Sequence, residues 1–159
     1  MDDWSEISVL ESTGNTRIRE WKFESDSKMV FFWLKLRGDR TDTSKDLYLC
    51  FNIDKDNETG SSVGNCAGTD ASVKMKVVSD DTPTFFNGVV TDSEIRPAEG
   101  ATVMNQVVCY GFKSTEDSEC YVEIGVPRNL IGLPEAGAEI SVECSYDWYV
   151  TGPQNITLK

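Results

Sequence analysis

The sequence predicts an all-β fold: an antiparallel β-sandwich of the jelly-roll type, a single domain over residues 1–159, with one short helical turn. Three observations carry that expectation. Long helical periodicity is absent. Short runs rich in Val, Ile, Phe, Tyr and Trp recur about every ten residues. Turn-forming Gly, Pro, Asp, Asn and Ser separate the runs, which is the spacing of a sandwich.

The first run covers residues 4–10, with Trp4 expected to plug one end of the sandwich. The second, 16–25, alternates Ile18, Glu20, Lys22 and Glu24 with Arg17, Arg19, Trp21 and Phe23. The short polar turn Ser25-Asp26-Ser27-Lys28 predicts a hairpin to residues 29–36. Residues 29–34 are almost continuously apolar and read as a central strand covered on both faces, with Trp33 in the core. In 46–53, Leu47, Leu49, Phe51 and Ile53 point one way and Tyr48, Cys50 and Asn52 the other. An acidic loop and a Gly- and Ser-rich stretch follow, up to Thr69.

Residues 71–78 and 84–90 predict another strand pair, in which Phe85-Phe86 reads as a buried strand start, with an exposed interaction edge as the alternative. A polar loop over 91–102 leads to a strand at 103–112 and a charged turn at 113–119. Cys120, Val122, Ile124 and Val126 then share a strand face. Residues 127–133 hold the helical turn, with Pro127 at its first position and Gly132 near its end. One long strand, 140–150, places Ile140, Val142, Cys144, Tyr146, Trp148 and Val150 on a single face, and 156–158 forms a last short one.

Net charge is −12 and the pI about 4.4, which argues against nucleic acid and anionic lipid as partners. No run approaches the roughly 20 apolar residues of a membrane span, and no secretory h-region is visible. Histidine is absent, which removes the commonest general base, the His-dependent triads and most zinc sites. Glycoside hydrolysis needs two carboxyls facing across a cleft; Asp and Glu abound but the sequence indicates no cleft, and with no histidine the chain reads as non-enzymatic. Of five cysteines, Cys50, Cys109, Cys120 and Cys144 fall in strand-like segments and Cys66 in the Gly-rich stretch. None is spaced as C-x-x-C; the odd count and strand burial fit free thiols better than a disulfide framework, and the spacing selects no pair.

The sharpest chemical signal is Asn52-Ile-Asp-Lys-Asp-Asn-Glu-Thr-Gly60. Asp54, Asp56, Asn57 and Glu58, with nearby carbonyls, offer the mixed oxygen donors that calcium takes. The same residues also build an ordinary turn, since Asp and Asn bond their own backbone and Gly60 closes it. An EF-hand is excluded by the glycine position and the missing distal Glu.

The order of features resembles the DOMON-like sandwiches that include family 9 carbohydrate-binding modules, and their relatives in bacterial envelope proteins. It runs from Asp2-Asp3-Trp4-Ser5-Glu6-Ile7 through the apolar run 28–36 and the Asp-x-Asp loop at 54–60. Gly68-Thr69-Asp70 and Glu123-Ile-Gly-Val-Pro127 complete it. The resemblance implies that Asp54, Asp56 and Asp70 meet at a structural calcium site, with Glu58 close by. It also implies an extracytoplasmic, non-catalytic module that binds carbohydrate. Such modules stack sugar rings on exposed aromatic planes and orient hydroxyls with polar side chains. Trp21 and Trp148 are the stacking candidates, with Asp147 and Gln154 as hydroxyl partners. The alternative is a structural or interaction domain of a secreted or surface lipoprotein, within a larger parent protein or surface assembly, without a small-molecule ligand.

Overall fold

The computed structural model describes residues 4–10, 17–37, 45–77, 86–89, 93–98, 103–104, 109–114 and 119–159. The described strands are, in chain order, β1 (Ile18–Ser25), β2 (Met29–Arg37), β3 (Asp46–Asn52), β4 (Ser61–Val63), β5 (Cys66–Thr69), β6 (Ala71–Lys76) and β7 (Phe86–Val89). They continue with β8 (Ser93–Arg96), β9 (Val103–Met104), β10 (Cys109–Ser114) and β11 (Glu119–Pro127). The helical turn α1 (Arg128–Ile131) precedes β12 (Glu139–Tyr146), β13 (Tyr149–Val150) and β14 (Gln154–Thr157). Two antiparallel sheets form the expected sandwich. One has the order β1-β2-β11-β10-β7; the other runs β13-β12-β3-β6-β8-β9, with β14 also on β12. A separate hairpin, β4–β5, lies outside both.

Alternation puts one face of each strand into the core. Val30, Phe32, Leu34 and Leu36 of β2 and Val122, Ile124 and Val126 of β11 meet Leu47, Leu49 and Phe51 of β3 and Ile140, Val142 and Cys144 of β12. An edge-to-face aromatic series crosses between the sheets: Phe23 to Phe32 at 5.1 Å, then Phe32 to Phe51 at 5.8 Å.

Several expectations are corrected by pairing. In β1 the register shifts between Ile18 and Glu20, and this bulge turns both Ile18 and Trp21 inward although they stand three residues apart. Trp33 is not core: β2 is covered on one face, and Trp33 stacks on Tyr121 at 5.5 Å on the outer side, with Lys22 over its ring. Residues 4–10 form turns and a single bridge, Leu10 to Trp21, rather than a strand. Trp4 lies with Ile7, Phe31, Glu24 and Glu123 around a groove of about 380 Å³ on the outer side of the five-stranded sheet, not at the end of the sandwich.

Strands β6 and β7 do not pair; they belong to different sheets, with β8 occupying the flank of β6 inside the expected loop. The expected strand at 103–112 divides into β9 and β10, again in different sheets. Phe85 and the first three residues, Met1, Asp2 and Asp3, lie outside the described residues. Among the described residues no helix is long and apolar enough to cross a membrane.

Pro127 caps α1 rather than entering it, and Gly132, at φ 68°, closes it in the left-handed conformation. Arg128 is buried at its first position. Its guanidinium donates to the carbonyls of Asp26 at 2.8 Å, Lys159 at 2.9 Å and Pro134. One cation thus ties the β1–β2 turn, Lys159 beyond β14 and the segment after α1. The variant Arg128→Met keeps the bulk but leaves these carbonyls without donors. Urea unfolding is expected to show a loss of about 2–4 kcal/mol.

Candidate functional site

The outer faces of β3 and β12 are polar because their inner faces are apolar. With Leu47, Leu49 and Phe51 inward, Tyr48, Cys50 and Asn52 must face out; with Ile140, Val142 and Cys144 inward, Ser141, Glu143 and Ser145 must do so. The β4–β5 hairpin roofs this face. Its turn, Gly64-Asn65, has φ 54° and 73°, the positive values that a two-residue hairpin loop uses. Gly64 rests on the Tyr48 ring so closely that a Cβ would lie 2.6 Å from it. Gly68 is held similarly: at φ 63°, a Cβ would stand 2.6 Å from the Asn52 amide and 2.7 Å from the Asn57 backbone.

Between floor and roof lies a cleft of about 160 Å³ lined by Cys50, Asn52, Asn57, Asn65, Cys66 and Glu143, among others. Asn52 is 6% exposed; its Nδ2 donates to Asn57 Oδ1 at 3.0 Å, and its Oδ1 has no hydrogen-bond partner. A buried acceptor left open is costly unless something fills it. Burial raises the Glu143 carboxyl above the usual carboxylate range, against the opposing pull of the Gly152 N–H and the Cys66 thiol.

Beside the cleft, β12 reverses into β13 through Asp147-Trp148, with Tyr146 paired to Tyr149. The expected unbroken strand at 140–150 is therefore a hairpin, and Trp148 does not share the core face. Asp147 and Trp148 have φ 52° and 69°. Asp tolerates that conformation; a bulky residue adopts it at a cost of about 1–2 kcal/mol. Trp148 is 68% exposed and Tyr149 46%. The turn is held from two sides. Asn65 Nδ2 donates to the Trp148 carbonyl at 2.9 Å, and the Asp147 carboxylate pairs with Lys45 at 2.9 Å and Arg17 at 3.2 Å. Asn65 therefore belongs to both the cleft wall and the aromatic tip.

The other expected ligand residues fare differently. Trp21 is 0% exposed and offers no ring face to a ligand, because the bulge in β1 turns it inward. Asp147 has both oxygens engaged in ion pairs that fix the turn. Gln154 lies in β14, paired with Val142, and not on a loop shared with Asp147. Asn52, Asn65 and Glu143 are the residues that sequence reasoning missed. The Gly-Asn dipeptide at 64–65 was the available signal, since it marks a two-residue hairpin turn.

The acidic loop holds itself through its own oxygens. Asp54 Oδ1 accepts from Asp56 N at 2.8 Å, Asp54 Oδ2 from the Thr59 hydroxyl at 2.8 Å, and Asp56 Oδ1 from Glu58 N at 2.9 Å. The first two bonds hold the Asp54 carboxyl below its usual range. Asp70 Oδ2 accepts from Ile53 N at 2.7 Å and turns the chain out of β3. Asp54 and Asp70 line one surface groove with Asn129; Asp56 and Glu58 are not among its walls. No group of three or more Cys, Asp or Glu poised for a metal is present among the described residues.

Glu143 supplies a pH test. Its folded state favours the protonated form, so its contribution to stability is largest below the ordinary glutamate range and falls as pH rises through the raised value. The variant Glu143→Gln keeps an acceptor for Gly152 and removes the buried charge. Urea unfolding is expected to find it more stable than the parent at pH 7, with the two converging near pH 4.

No protein-family model, curated protein or solved structure matches this chain.

Proposed function

We propose that this chain is a non-catalytic binding module that takes carbohydrate at the Trp148 tip and the adjoining polar cleft. The observation that carries the reading is Trp148 itself, a large apolar ring held 68% exposed in a conformation that folding disfavours. The apolar C–H face of a pyranose matches an indole plane, and Tyr149 extends the surface. The Asn57 and Asn65 amides and the Glu143 carboxyl, which line the cleft, suit the hydroxyls at the edge of a ring. The setting that goes with this reading is extracytoplasmic, in a secreted or surface protein.

A second reading, an interaction domain without a small ligand, draws support from the outer face of the five-stranded sheet. There the Trp33–Tyr121 stack is flanked by Lys22 and Lys35. A glycan array followed by calorimetry separates the two. Carbohydrate binding is expected, and Trp148→Ala is expected to weaken it at least about tenfold. Trp148→Gly should do the same while leaving the fold as stable or up to about 1 kcal/mol more stable. An array blank for every glycan, or hits that bind both variants unchanged, would overturn the carbohydrate reading.

Calcium belongs to the proposal as a scaffold ion. Asp54 and Asp70, with Asn129, would hold it, and water would complete the six to eight oxygens it takes. So open a donor set implies weak binding, in the range of about 0.1–1 mM seen at extracellular sites. After chelation, millimolar calcium is expected to raise Tm by a few degrees and micromolar calcium to leave it unchanged. An identical melting curve at both concentrations removes calcium from the proposal.

A further inference from the structure

We propose that Cys50 and Cys66 join in a disulfide that ties the β4–β5 hairpin to β3 when the chain folds in the presence of a small-molecule disulfide such as oxidised glutathione. The pair is set by position. Both thiols line the same cleft, and Cys50 is the neighbour that most perturbs the Cys66 thiol. The Cys50 thiol also reaches the Val63 carbonyl at 3.7 Å, and Val63 is the cross-strand partner of Cys66 over the Gly64-Asn65 turn. Three neighbouring groups on three strands therefore converge on one spot.

The other described cysteines are kept away by the architecture. Cys144, on the neighbouring strand β12, lies next to this site in space, but it faces the core opposite Leu49, on the far side of the sheet. Cys120 faces inward from β11 in the other sheet. All four described thiols are buried.

The chemistry balances in two exchanges. A thiolate of one cysteine attacks the glutathione disulfide, forming a mixed disulfide and releasing one glutathione thiolate. The second cysteine then attacks the mixed disulfide and releases the other. The two protons lost by the cysteines pass to the departing glutathiones, and two electrons leave the protein for one glutathione disulfide. Contact with Cys50 and burial hold the Cys66 thiol far above its usual range, so thiolate is scarce once the hairpin has closed. The bridge therefore forms during folding, while the roof is still open, and the closed roof then protects it.

The bridge encloses about fifteen residues, the acidic loop among them, and a loop of that size gives a substantial gain. The test starts from the fully reduced, unfolded chain. It is refolded with oxidised and reduced glutathione, alkylated, and examined by intact mass, peptide mapping and melting. The expected result is a mass about 2 Da lower before alkylation, one linked peptide pair containing Cys50 and Cys66, and a Tm about 6–10 °C above that of the chain refolded with dithiothreitol. Cys50→Ser and Cys66→Ser should each lose the linked peptide and the Tm shift. Alkylation of all five cysteines after oxidative refolding, or a link through Cys109, Cys120 or Cys144, overturns the proposal. The peptide map of the unsubstituted chain decides the matter even where a serine variant fails to fold.

Discussion

The pairing of β3 with β12 is the constraint on which both the core and the cleft depend. In register from Leu47 opposite Tyr146 to Asn52 opposite Ser141, the two strands lay one continuous apolar surface inward and one continuous polar surface outward. A slip of one residue would exchange the two, sending Leu49 and Phe51 to the cleft and Cys50 and Asn52 to the core. Burial of the apolar set, against Phe32 and its neighbours on the facing sheet, therefore fixes the positions of the polar set as well. The cleft inherits its geometry from the core.

A second layer of organisation is built on that polar face without joining either sheet. The β4–β5 hairpin sits on the Tyr48 ring through Gly64, and the acidic loop presses on Gly68. Asn65 links the hairpin to the carbonyl of Trp148, and Asp147 links the same turn to Lys45 and Arg17. The exposed aromatic tip thus rests on contacts from two sides, the Asn65 turn and the Lys45 and Arg17 cations, beside its own short ladder. Rigidity at the tip comes from close steric approach and a few directed bonds, because its β13 partner strand is only two residues long.

Much of the fold was legible because alternation is a strong signal where one face is buried. The runs around Leu47–Phe51, Cys120–Val126 and Ile140–Tyr146 read correctly for that reason, as did the hairpin closed by Asp26, whose carboxylate accepts from Lys28 and Met29. Failures came where local pattern and tertiary pairing diverge. A bulge cannot be seen in the strict alternation of 17–24, so Trp21 passed for a surface residue among charges. The apolar run of β2 looked two-sided because Trp33 and Phe31, though outward, are covered by neighbours such as Tyr121 and Trp4. Nothing in Tyr-Asp-Trp-Tyr announces a reversal, since tryptophan is among the residues least suited to positive φ. The acidic loop stood out as a calcium site or a turn-forming cluster, but the outward polar residues Asn52 and Glu143 of the cleft carry no motif. They became visible only once the hairpin roof was placed over them.

The left-handed tryptophan sets two selective pressures against each other at one position. Folding alone favours glycine or asparagine there, and any drift toward them would cost the scaffold nothing. On the carbohydrate reading proposed above, the large aromatic persists at such a place because binding rewards what folding disfavours. On that reading position 148 is a reporter of use: relatives without that role should relax there first, well before the packed residues of β3 and β12 change.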